Sequence, residues 1–121
     1  MPGITLVTNQ DARLAMQNVK KVANRLDYSV TAVSESELAL HKGNPITGTL
    51  LGAFFPYSRL RVLIRTNPDK TVEIDILRNS PWWTGGALGV KRTKDRAEEF
   101  ADGIADAIRE QHGEILRRET I

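Results

Sequence analysis

Cysteine is absent from the sequence, which excludes disulfides, cysteine–zinc sites and thiol catalysis. A dominant charge is also lacking: 17 Lys and Arg stand against 15 Asp and Glu, a formal net charge of +2. That near balance does not point to nucleic acid. The pI of about 9.2 overstates it, because small imbalances move a pI far when few groups titrate near neutrality. Long hydrophobic runs are missing too. The longest uncharged stretch, residues 43–58, is too short and too rich in Gly and Pro to span a bilayer. The first twenty residues carry no basic region followed by an apolar one, so no secretory signal is expected. With neither signal nor cysteine, the expected compartment is the cytoplasm.

What is present suffices for one core. A chain of 121 residues with 40% hydrophobic content is expected to form a single domain over 1–121 and to bury roughly two-thirds of its unfolded surface. A flexible tail is expected from about residue 114.

Two segments have helical periodicity. Over about residues 10–26, Ala12, Ala15, Met16, Val19, Val22, Ala23 and Leu26 recur at spacings of three and four, and Thr8 or Asn9 can cap the start. Over about residues 94–112, Ala97, Phe100, Ala101, Ile104, Ala105 and Ile108 form a second stripe, with Thr93 as expected N-cap and Gly113 as stop. Each helix is one-sided and needs an apolar surface to cover.

The middle of the chain supplies that surface. Leu60, Val62 and Ile64 alternate with Arg59, Arg61 and Arg65, and Val72, Ile74 and Ile76 alternate with Glu73 and Asp75. The link Asn67-Pro68-Asp69-Lys70 has turn chemistry, so the two strands form a hairpin whose polar face sets Arg61 and Arg65 opposite Glu73 and Asp75. Residues 28–33 and 37–42 read as an earlier hairpin turning near Ser34-Glu35-Ser36. Ile4 to Val7 suggests at most a short edge strand. The expected fold is α+β: a two-layer sandwich of a four-stranded antiparallel meander, with N- and C-terminal helices packed on one face (αββββα).

Two connections stand out. Residues 43–58 and 79–90 carry no charge and hold five of the aromatics, Phe54, Phe55, Tyr57, Trp82 and Trp83, together with Leu88. Ordinary connections are short and polar. In a meander the two tight turns fall at one end of the sheet and both uncharged segments at the other. Either these segments close over the open end and complete the core, or they present an apolar surface. Such a surface suits a second copy of the chain, another protein, an apolar ligand or a membrane surface.

Other motifs carry less. The segment 43–49 has phosphate-loop glycine spacing but no Lys, and Pro45 removes an N–H. Gly86 and Gly89, followed by Lys91, Arg92, Lys94 and Arg96, read as a Gly-rich loop before a helix start. Such a loop can bind an anion through free N–H groups. Nucleic acid is not an expected partner, since Glu73 and Asp75 offset the sheet arginines. His41 and His112 lack metal-spaced neighbours, so no metal or cofactor is expected. No catalytic constellation is visible. The sequence reads as a non-catalytic binding or assembly module acting through the apolar segments, or alternatively as an anion or nucleic-acid binder through the basic segment.

Overall fold

The computed structural model describes residues 3–42, 58–78 and 86–121, with residues 42, 58 and 86–95 described by their backbone. Along the chain these form β1 (Gly3–Thr8), α1 (Ala12–Arg25), β2 (Ser29–Ala32), β3 (Glu37–Lys42), β4 (Ser58–Thr66), β5 (Val72–Arg78), α2 (Gly86–Glu110) and β6 (Ile115–Thr120). The strands make one antiparallel sheet in the order β2-β3-β4-β5-β1-β6.

The alternation along each strand is what creates the core. Cross-strand register puts Leu38, Val62, Ile76 and Ile4 in one row, and Ile64, Ile74 and Leu6 in another. All seven are buried. Both helices pack on β4 and β5 and touch each other. The α1 stripe buries Ala15, Val19, Val22 and Ala23, and the α2 stripe buries Ala97, Phe100, Ala101, Ile104 and Ile108. At their crossing a Cβ on Gly103 would come within 2.7 Å of Val22 Cγ1, so the missing side chain sets how closely the helices approach.

The α+β class agrees with the sequence reading, and β2 to β5 are the four expected strands in meander order. Two strands go beyond it. Residues 4–7 do not sit at an edge: β1 lies between β5 and β6, because its apolar residues continue the buried rows. The expected tail is β6, paired with β1 from Ile115 to Thr120. Its own side chains are mostly exposed, which hides it from a search for apolar alternation; backbone pairing supplies the order.

The helix ends also differ from expectation. Asp11 caps α1, its side chain accepting from the Leu14 N–H at 2.8 Å. Thr8 and Asn9 instead clasp the far end of the chain. The Thr8 hydroxyl donates to the Glu114 carbonyl at 2.8 Å, and the Glu114 N–H donates to Asn9 Oδ1 at 2.9 Å. Beside them Asn18, only 1% exposed, donates to Gln10 Oε1 at 2.8 Å and to Gln111 Oε1 at 3.2 Å. These amides satisfy one another where burial would otherwise be costly.

Helix α2 begins at Gly86, eight residues before the expected Lys94, so Thr93 is internal rather than a cap. Ala, Leu, Lys and Arg are strong helix formers, and they outweigh two glycines that each cost about 1 kcal/mol in a helix interior. At its other end the Gly113 N–H bonds the Ile108 carbonyl and the His112 N–H bonds the Arg109 carbonyl. This is a Schellman cap in which His112, at φ 66°, occupies the left-handed position that favours glycine. The exposed His112 therefore carries the backbone strain, while Gly113 is required for space: a Cβ there would come within 2.7 Å of Ile108 Cγ2. His112→Gly is expected to stabilise the fold by about 0.5–1 kcal/mol; a lower urea midpoint for the variant would refute the assignment.

The hairpin turn after β4 closes as its residues suggest. The Asn67 N–H donates to the Thr71 carbonyl at 2.8 Å, and Lys70 takes the left-handed position at φ 72°. Hydrogen bonds from Thr71, side chain first and then backbone, hold the Asp69 carboxyl below the usual carboxylate range.

On the helix-free sheet face the expected pairing holds for Arg65 and not for Arg61. Arg65 alone meets both Glu73 and Asp75, while Thr5 Oγ1 donates to the buried Asp75 carboxylate at 2.8 Å. Arg61 lies across from Leu77 in β5 and pairs with Glu37 of β3 at 3.2 Å. The meander sets β3 beside β4 on the side away from β5, which brings Glu37 within reach of Arg61.

Candidate functional site

The two tight turns, near residues 35 and 68, lie at one end of the sheet, here the turn end. At the opposite end, the loop end, Lys42 pairs with Ser58 and Leu60 with Arg78. The backbone therefore leaves for residues 43–57 from β3, returns from them into β4, and leaves for residues 79–85 from β5, all at the loop end. Phe54, Phe55, Tyr57, Trp82 and Trp83 lie outside the described residues, and Leu88 is placed by its backbone in the first turn of α2.

The basic segment has a different geometry from that expected. Gly86 and Gly89 are helical, and Lys91, Arg92, Lys94 and Arg96 lie inside α2 rather than ahead of it. In an α-helix only the first four N–H groups lack an internal partner, so the free donors move back to residues 86–89. Arg96 is half-buried and 3.9 Å from Glu99.

Under this end lies an aromatic pair. Tyr28 is 4% exposed and meets Phe100 edge to face, with ring centroids 5.5 Å apart at 85°. Burial pushes the Tyr28 phenol up to about 12; the nearby Arg96 opposes the rise and Glu99 adds to it. A cavity of about 20 Å³ is lined by Gly3, Ile4, Arg78, Ala97, Glu98 and Thr120. That is room for about one water and far below an organic ligand's needs. Among the described residues no cluster of three or more His, Asp or Glu side chains could hold a metal ion. No helix among them is long and apolar enough to cross a membrane.

Charge is distributed unevenly along the strands. In the shared register, Glu37, Asp75 and Glu119 lie one step to the turn side of the Val62–Ile76–Ile4 row, and Glu73 lies further that way. No strand carboxylate lies to the loop side of that row, where Arg61, Arg78, His41, Arg59 and Lys42 follow in order. The turnward cations are paired: Arg65 with Glu73 and Asp75, Arg117 with Glu119, and Arg118 with Asp102 of α2. Among the described residues Arg59 and Arg78 make no ion pair.

The sequence carries a signal for this asymmetry that net charge conceals. Between Glu37 and Asp69 it has no carboxylate, and its cations are Lys42, Arg59, Arg61 and Arg65. Between Asp75 and Asp95 it has none either, and its cations are Arg78, Lys91, Arg92 and Lys94. Set against a net charge of +2 for the whole chain, these cations leave the remainder net acidic.

No model of a known protein family matches this chain, and no curated protein matches it.

Proposed function

We propose that the protein is a non-catalytic binding or assembly module whose working surface is the loop end, with Phe54, Phe55, Tyr57, Trp82, Trp83 and Leu88 as anchors. The observation that carries this reading is the shared departure point. Two uncharged, aromatic- and glycine-rich segments leave the sheet at one end. Contiguous apolar area marks interaction sites on otherwise charged proteins. Tyr and Trp suit the role because each ring is apolar at one end and hydrogen-bonds at the other. The partners this surface suits are a second copy of the chain, another protein, an apolar ligand or a membrane surface.

Tryptophan emission tests the reading, since Trp82 and Trp83 are the chain's two tryptophans and report on this segment alone. The expected spectrum is that of water-exposed indole, shifting blue as protein concentration rises or as a partner surface is added. Trp82→Ala with Trp83→Ala is expected to abolish partner binding while leaving far-UV circular dichroism unchanged. Blue emission insensitive to dilution and to added surfaces, with unfolding of the double variant, would mean that the segments complete the core.

Anion or nucleic-acid binding through Gly86, Gly89, Lys91, Arg92, Lys94 and Arg96 is the competing reading, and it predicts steeply salt-dependent association with polyanions. With residues 91–96 inside α2, it relies on side-chain cations rather than on a loop of free N–H groups.

A further inference from the structure

We infer that the partner met by the loop end is an anionic lipid surface. The inference deepens the binding-surface reading and rests on it for the location, but its evidence is the charge map. Along the strands the loopward half carries Lys42, Arg59, Arg61 and Arg78 and no carboxylate, whereas the turnward half carries Glu37, Glu73, Asp75 and Glu119. Helix α2 runs the same way. It starts beside the loop end with Lys91, Arg92 and Lys94 and finishes at the turn end beyond Asp102, Asp106 and Glu110. Four carboxylates are exceptions at the loop end: Asp27, two residues after Arg25, Asp95, next to Lys94, Glu98, which lines the cavity beside Gly3 and Arg78, and Glu99, 3.9 Å from Arg96. The molecule is thus polarised along its strands, with the positive pole where the uncharged segments depart.

A negative, planar, partly apolar partner fits that combination. Cations near an anionic leaflet are drawn to its surface potential, and Trp, Tyr and Phe settle at the level of the headgroups. Single-stranded nucleic acid also pairs cations with aromatic platforms. However, it has no use for the aliphatic residues Ile46, Leu50, Leu51, Leu88 and Val90 of the same stretches, which a hydrocarbon boundary would accommodate. No transmembrane helix is required: the contact is peripheral and reversible.

Sedimentation with vesicles tests this directly. The full chain is expected to bind vesicles of phosphatidylcholine mixed with phosphatidylglycerol, to leave pure phosphatidylcholine vesicles in solution, and to dissociate as salt is raised. Lys42→Gln with Arg59→Gln should weaken partition about thirty-fold, from about 1 kcal/mol for each cation near the surface. Lys70→Gln with Arg109→Gln removes the same charge at the turn end, from exposed positions, and should change partition by less than about threefold. Equal losses from the two pairs would overturn the inference, as would equal binding to both kinds of vesicle. Tighter binding to a single-stranded oligonucleotide than to the anionic vesicles would overturn it in favour of nucleic acid. The two readings fail separately. Cation-dependent vesicle binding without any change in tryptophan emission removes the aromatic anchors and keeps the lipid. Emission that shifts with protein concentration but ignores vesicles keeps the surface and removes the lipid.

Discussion

Phe100→Ala is expected to lower the stability of the fold by about 3–5 kcal/mol, the usual cost of deleting a buried aromatic ring. For a chain of this length that corresponds to a fall in melting temperature of roughly 10–20 °C. Two losses add. The ring is fully buried between the helix layer and the sheet, so its removal opens a cavity that rigid strand rows cannot close. It also removes the edge-to-face partner of Tyr28 at 5.5 Å, a geometry that contributes about 0.5–1.5 kcal/mol beyond area. Urea unfolding followed by far-UV circular dichroism measures the sum. A cost below about 1 kcal/mol would mean that Phe100 is not packed as described.

The second large effect lies at alkaline pH. A tyrosine in an unfolded chain titrates near 10, whereas burial pushes Tyr28 up to about 12. The folded pKa is the higher of the two, so the folded state keeps a proton that the unfolded chain has released. The resulting stability is fully present below pH 10 and is lost as pH rises through about 12. Two pKa units correspond to about 2–3 kcal/mol, an upper bound because relaxation around an ionised phenol reduces it. Between neutral pH and pH of about 12 the wild-type chain should lose that much more stability than Tyr28→Phe. Parallel losses in the two proteins would show that the phenol is not desolvated.

Legibility in the sequence followed the strength of local signals. The apolar stripes of α1 and α2 and the alternation through residues 60–76 are periodic over several turns or steps, and the structure buries those positions. The hairpin turn at Asn67-Pro68-Asp69-Lys70 was equally plain, because its conformation is set by the residues that form it. Where local chemistry offered choices, tertiary contact made them. Thr8, Asn9 and Asp11 all have side chains suited to capping. Asp11 caps, because β1 delivers Thr8 and Asn9 to Glu114, more than a hundred residues away in sequence. Asn18 breaks the apolar stripe of α1 and would look like surface, yet Gln10 and Gln111 close a buried amide cluster around it. Arg61 offered no hint that its partner would be Glu37.

The candidate site divides along the same line. That residues 43–58 and 79–90 are uncharged and aromatic is a property of composition, visible without any structure. That Lys42, Arg59, Arg61 and Arg78 gather at one end is a property of register, since cations far apart in sequence become neighbours only when β3, β4 and β5 align.

The sequence by itself determined the α+β class, the two one-sided helices and the central meander, because each follows from periodicity within a short window. Only the tertiary structure decided that β1 is an inner strand, that β6 is a strand at all, and where the charge accumulates. Pairing partners for β1 and β6 lie at opposite ends of the chain. A polar edge strand such as β6 is held by backbone hydrogen bonds to its neighbour rather than by burial of its own side chains, and no pattern within Ile115–Thr120 announces that neighbour.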